Sequence, residues 1–139
     1  MDGTLGAARP PLSFWVVTLL GLCWNSFGAY LYTLTNLGDA ALLNSAPPAM
    51  RDYVAAMPLW AHGGWALGIW GSLAGSVLML LRSRHAVAAF AASLLGAIIS
   101  FSAQAMAGVL EPAQPVLILT VIAFLLWYAR TAILAGNLR

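Results

Sequence analysis

Four apolar runs divide the chain: Leu12–Tyr32, Leu59–Leu81, Ala86–Leu110 and Val116–Leu134. Each is close to the ~20 residues that a helix needs to cross a hydrocarbon layer of about 30 Å. The first three carry no charge, and the fourth carries Arg130 near its end, where the guanidinium can reach the headgroups. Pro10-Pro11, Pro58, Glu111-Pro112 and Pro115 mark the limits of the runs, where proline costs a helix least. The pattern predicts an all-α, polytopic membrane protein. Four transmembrane helices in an antiparallel bundle form one domain over residues 1–139, with no internal repeat or low-complexity tract.

Thr33–Pro58 is the one long connection. Within it SAPPAMRDYVAAM offers Ser45 as a cap and prolines at a helix start, and helical spacing sets Met50, Tyr53, Val54 and Met57 on one face, away from Arg51 and Asp52. A short helix lying on the membrane surface and an irregular loop both fit this segment. Met1–Arg9 followed by an apolar run looks like the start of a secretory signal, but the run is too long for a signal core and ends in no small-x-small cleavage site. Leu22 before Cys23 also breaks a lipoprotein box, so the first span is expected to be retained.

Glycine is the unexpected residue of the second span. HGGWALGIWGSLAG holds five of them, and each costs a helix roughly 0.5–1 kcal/mol relative to alanine. Ala61, Gly64, Gly68, Gly71 and Gly75 recur every three or four residues and so share one stripe. Helices in lipid associate without a hydrophobic driving force between them, through the close van der Waals contact that small residues allow. The stripe is therefore a packing seam. The third span repeats it with Ala89, Ser93, Gly96, Ser100, Ala103 and Ala107, and the first does so more sparsely with Thr18, Gly21, Asn25 and Gly28. The fourth offers only Thr120 and Ala123, which predicts looser packing.

Composition agrees with the pattern. The chain is 62% hydrophobic and 7% charged, where a soluble domain carries about 25% charged residues. A net charge of +2 spread along the chain makes no basic face for nucleic acid. The lone Cys23 excludes an intrachain disulfide, a CxxC pair and a cysteine zinc site, and its position predicts a lipid-facing, inert thiol. Arg82 and Arg84 lie in the tight turn between the second and third spans. With that turn cytoplasmic, Arg9, Arg130 and Arg139 also fall inside, Arg51 is the one exception, and Asp39, Asp52 and Glu111 fall outside. Both termini are then expected in the cytoplasm.

Two amides lie within the spans. Asn25 sits about seven residues below the outer end of the first and Gln104 about six below that of the third, each roughly 10 Å deep at 1.5 Å per residue. Either they hydrogen-bond each other or a carbonyl as interhelical contacts, or they line an outward-opening cleft with Trp24 and Trp65 at similar depth. In the second case Asn25, Gln104, Trp24 and Trp65 form a substrate-binding set for a neutral polar solute. A sugar suits it, because amides bind hydroxyls while the C–H face of the ring packs on an indole.

The other polar residues carry less. His62 falls nearly opposite the glycine stripe and close to the interface, which predicts a headgroup contact, and His85 adds interfacial charge in the arginine turn. Two histidines so far apart make no haem or metal site, and no cofactor is expected. Trp15, Trp60, Trp70 and Trp127 read as interfacial or lipid-facing residues. No Asp, Glu or Lys lies in any span, so a proton-coupled carrier that depends on a membrane carboxylate does not fit. No nucleophile-base pair, carboxylate pair or phosphate loop points to an enzyme.

Three stretches, CWNSFGAYLY (23–32), MPLWAHGGWALGIWGSLAGSVLMLLRSRHAV (57–87) and AFAASLLGAIISF (89–101), resemble a group of small bacterial four-helix membrane proteins commonly labelled sugar transporters. The likeness spans roughly residues 12–110. It rests on Trp24-Asn25 with Gly28, on Pro58, Trp60, Trp65, Gly68, Trp70, Gly71 and Gly75, and on Ser93-Leu94. It implies a bacterial inner-membrane location and transport. Members of that group carry an acidic residue before the tyrosine matching Tyr32, and here that position is Leu31, so any activity built on the acid is altered.

Two functions remain open on the sequence. One is a small-solute carrier or carrier component, for which a homodimer would supply the second half that alternating access ordinarily requires. The other is a non-catalytic subunit that packs its glycine seam against a larger membrane complex.

Overall fold

The computed structural model describes residues 9–139, so the leader-like start of the chain lies outside the described residues apart from Arg9. Among them are six helices and no strand: α1 (Leu12–Asn36), α2 (Ala40–Ser45), α3 (Pro48–Ala55), α4 (Leu59–Leu80), α5 (Ala86–Met106) and α6 (Ala113–Leu134). By length and composition α1, α4, α5 and α6 can each cross a membrane, which makes the protein multi-pass.

The expected limits shift by no more than four residues, for local reasons. α1 continues past Tyr32 to Asn36 and stops where Gly38 takes a left-handed φ of 77°. α5 stops at Met106 rather than Leu110 because Gly108, at φ 74°, turns the chain and Val109 N–H bonds back to the Gln104 carbonyl. α6 starts at Ala113, one turn earlier than expected, with Pro115 inside its first turn, where the missing N–H breaks no helical bond.

Contacts across the bundle run in opposite chain directions. A Cβ on Gly75 would meet the Phe90 ring, one on Gly71 would meet Ser93, one on Gly68 would meet Ala97 and one on Gly64 would meet Ile99, so α4 and α5 are antiparallel. Their approach is the closest in the molecule: a Cβ on Gly96 would stand 2.5 Å from the Gly68 nitrogen and 2.7 Å from the Gly64 carbonyl oxygen. Ser93 Oγ donates to the Gly68 carbonyl at 2.6 Å across the same seam. α1 packs antiparallel on the other side of α4, with Gly21 near Ser76 and Gly28 near Ile69, and α6 lies against α5.

The glycine stripe of the second span is thus a seam, as expected, yet it serves two neighbours. Gly64, Gly68, Gly71 and Gly75 face α5, and Ser72 and Ser76 face α1. In α1 the buried row is Phe14, Thr18, Gly21, Asn25 and Ala29. Gly28 lies beside it, half-buried, with only Ile69 Cδ1 near, at 3.7 Å. Thr120 and Ala123, the small residues of the fourth span, form no seam. Both are exposed, Thr120 Oγ1 bonds to the Val116 carbonyl of its own helix, and α6 packs instead through Ile122, Leu125, Ala129 and Ala132.

One end of the bundle is closed around the turn that holds Arg82 and Arg84. Phe14, Met79, Phe90, Leu125 and Ala129 fill it, and the Phe14 ring packs against Trp15 at 5.1 Å and stacks on Tyr128 at 6.5 Å. Residues after α6 fold back over this end. Leu138 is only 3% exposed, and backbone bonds run from Arg139 N–H to the Arg82 carbonyl and from Arg84 N–H to the Arg139 carbonyl. Arg82 takes a left-handed φ of 57°, unusual for a non-glycine residue, and its Nε holds the tail by donating to the Asn137 carbonyl at 2.9 Å.

Candidate functional site

The opposite end carries the α2–α3 loop and is not filled. Asp39 caps α2 by accepting from Leu42 N–H at 2.9 Å, a short helix the hydrophobic pattern had not marked. Ser45 does not cap the next helix as expected: its Oγ bonds to the Leu42 carbonyl and closes α2, while Pro47 precedes α3. Of the two readings of the loop, a helix forms over Pro48–Ala55. Met50, Tyr53, Val54 and Met57 are half-buried against the bundle, and Asp52 is exposed. Arg51, expected to turn away, is half-buried as well.

Beneath these two helices lies a cavity of about 760 Å³ between α1, α4, α5 and α6. Its depth follows from α1: from Asn36 to Asn25 the helix descends roughly 16 Å at 1.5 Å per residue. The four residues of the expected binding set, Trp24, Asn25, Trp65 and Gln104, all border it. So do Gly28, Leu31, Ser72, Ser100, Glu111 and Gln114.

The two amides do not meet. Asn25, 6% exposed, is committed to α4: its Nδ2 donates to the Ser72 carbonyl at 3.1 Å and to Ser76 Oγ at 2.6 Å, while Oδ1 accepts from Ser72 Oγ at 2.7 Å. It closes the floor of the cavity as a bonded cluster. Gln104 is half-buried, and its side chain makes no hydrogen bond among the described residues. Its amide is a free polar group on the wall. The glycine stripe does not by itself mark Ser72 and Ser76 as partners, but the sequence carries a signal for them: Gly64, Gly68, Ser72 and Ser76 form an unbroken row at spacing four.

Trp65 enters an aromatic group instead of standing alone. Tyr32 packs on it edge-on with centroids 4.6 Å apart, His62 lies 5.9 Å from it, and Trp70 lies 5.8 Å from the Tyr32 ring. The Tyr32 hydroxyl and His62 Nε2 share a hydrogen bond of 3.2 Å whose direction follows the imidazole tautomer. His62 is therefore half-buried between side chains and not simply placed at a headgroup. Trp24 is exposed at the cavity's edge, and Cys23 is exposed, as expected.

The charges of the loop divide between two sides. Arg51 and Glu111 border the cavity, and Arg51 Nε is buried without a hydrogen-bond partner among the described residues. Asp52 faces a separate groove between α3 and the end of α5, floored by Trp60 and Ala103. Tyr53 touches both spaces, and burial raises its phenol above the usual 10.0, which keeps it neutral.

The arrangement can bind: an apolar chamber with a free amide, indole faces and one unpartnered cation near its mouth. Searched by family, by sequence and by structure, the chain matches no family model, no curated protein and no solved structure.

Proposed function

We propose that the protein is a membrane carrier, or the membrane component of one, that admits a small hydroxyl-bearing, sugar-like solute to the cavity beneath α2 and α3. The observation that carries this reading is the cavity itself. About 760 Å³ of open space reaches roughly halfway down a four-helix bundle that is otherwise packed closely enough for helix backbones to touch. A pocket of that size is in the range that holds a small ligand, roughly 300–1,000 Å³. Gln104 offers the amide for hydroxyls, Trp24 and Trp65 offer faces for C–H groups, and Asn25 acts through α4 to hold the floor.

The arginine distribution supports an orientation with the Arg82–Arg84 turn and both termini cytoplasmic and the cavity mouth outside. The resemblance to the small four-helix group supports a bacterial inner membrane. Leu31, which replaces that group's acid, lines the cavity, so the apolar wall here points to a less polar solute.

The test is a thermal-unfolding screen of purified protein against neutral sugars and polyols, comparing wild type with Gly28→Phe. Gly28 borders the cavity, and a Cβ there would touch only Ile69, so phenylalanine fills the space without opening a seam. A binding solute raises the unfolding temperature of wild type as RT ln(1 + [L]/Kd), and Gly28→Phe loses that rise while remaining folded. A rise that persists in Gly28→Phe places binding elsewhere and overturns the reading.

A further inference from the structure

We infer that the cavity takes a single-chain anionic amphiphile from the bilayer, its head on Arg51 and its apolar chain lying between α1 and α6. This rests on the reading of the cavity as a binding site and adds to the sugar-like solute a second occupant of the same space, drawn from lipid. Three observations carry it.

The first is where the chamber opens. The contacts that close α1 against α6 lie toward the arginine turn, through Phe14 with Tyr128 and Gly21 with Leu125. Above Asn25 the walls part. Phe27 on α1 and Leu117 on α6 both border the cavity, yet they are 59% and 53% exposed on the surfaces of two membrane-crossing helices. Both lie in segments apolar and long enough to cross a membrane, so an apolar chain that reaches the cavity past them comes from lipid.

The second is the lining. Leu31, Ile69, Phe101, Ile118 and Ile122 surround the chamber below the loop, and a sugar would leave much of that surface without a partner. The volume, about 760 Å³, falls in the range of roughly 300–1,000 Å³ for a drug-sized ligand, which fits one chain with its head.

The third is Arg51. It is the one arginine that defies the charge bias of the loops, it borders the cavity, and its Nε is buried with no hydrogen-bond partner among the described residues, Glu111 included. Asp52 turns to the other groove and cannot serve it. A guanidinium presents a planar fork matched to carboxylate or phosphate oxygens, and a buried Nε has no water to stand in for such a partner. Gln104 and Gln114 border the same space and can donate to the remaining oxygens.

The experiment uses the full chain in neutral maltoside micelles, with oleate and oleyl alcohol as probes that share a chain and differ in the head. Oleate is expected to raise the unfolding temperature well above the rise given by oleyl alcohol. Arg51→Gln should weaken oleate binding about tenfold, to the level of the alcohol, and Arg51→Lys should keep part of it. Arg84→Gln, at the far end of the bundle, should leave it unchanged. Equal rises with the two probes in wild type overturn the inference and need no variant. So does an oleate effect that survives Arg51→Gln, or one lost equally in Arg84→Gln. Stabilisation by neutral polyols alone, abolished by Gly28→Phe, removes the anionic amphiphile and leaves the cavity reading standing. No stabilisation of wild type by any probe removes both.

Discussion

The α4–α5 seam with the arginine-turn end and the cavity beneath the loop are built from the same kinds of residue, with opposite results. In the seam, small residues let two helices approach until backbone atoms of Gly96 and Gly68 are neighbours, and Phe90 and Phe14 fill what remains. Around the cavity Gly28 is equally small, but it borders open space, and a Cβ there would find only the tip of Ile69, at 3.7 Å. A small residue therefore makes a seam only where two helices converge on it, and a chamber where they diverge. In lipid this distinction carries unusual energetic weight, since packing contacts rather than apolar burial hold the helices together.

The sharpest way to break that comparison is to enlarge one glycine in each region. Gly96→Leu should cost about 3 kcal/mol or more, the upper end of overpacking, because its Cβ meets backbone that cannot rotate away. Gly28→Leu should change unfolding in detergent by less than ~1 kcal/mol. Similar losses at the two positions would show that the chamber is filled in the folded protein.

Removing bulk tests the same contrast from the other side. Phe90→Ala, fully buried in the closed end, should destabilise by about 2–3 kcal/mol. This is below the ~3–5 kcal/mol of aqueous cores because the unfolded reference is also in an apolar medium. Phe101→Ala, half-buried on the cavity wall, should cost roughly 1 kcal/mol or less, since it enlarges a space already present. Chemical-denaturation midpoints in one detergent give both values.

The smallest expected difference separates the two amides. Asn25→Leu removes three interhelical hydrogen bonds and should cost about 1–2 kcal/mol, near the upper range for such contacts in membranes. Gln104→Leu should leave stability within ~0.5 kcal/mol of wild type and act only on solute binding. A large loss at Gln104 would mean that its amide has a structural partner after all. The double change Asn25→Leu with Gln104→Leu should show no recovery over Asn25→Leu alone, because the two side chains do not bond each other.

Much of this was legible in the chain. The four spans, the antiparallel bundle, the α4 and α5 seams and the set of four residues that reach one cavity all followed from local pattern. What escaped has particular causes. α2 was missed because AALLNS is too short to show a helical period, although Gly38-Asp39 spells a helix stop followed by a cap. Ser45 was assigned to the wrong helix because a serine before prolines resembles an N-cap, and its hydroxyl instead bonds backward along α2. Arg51 was placed on the exposed side because helical spacing gives angles relative to Met50 and Tyr53, not the distance to the bundle.

Span length and the avoidance of charge are properties of each segment facing the bilayer alone, so sequence determined them. The direction of each span alternates for the same reason, given connections of fixed length. Which face of α4 serves which neighbour was decided only by tertiary structure. A row of residues at spacing three or four covers a broad arc of a helix, wide enough for Gly68, Gly71 and Gly75 to meet α5 while Ser72 and Ser76 meet α1. The partner of Asn25 depends on the rotation and register of both helices, quantities fixed by the sum of all their contacts. The cavity depends on them still more, since its lining is drawn from α1, α4, α5 and α6 together with the loop above them.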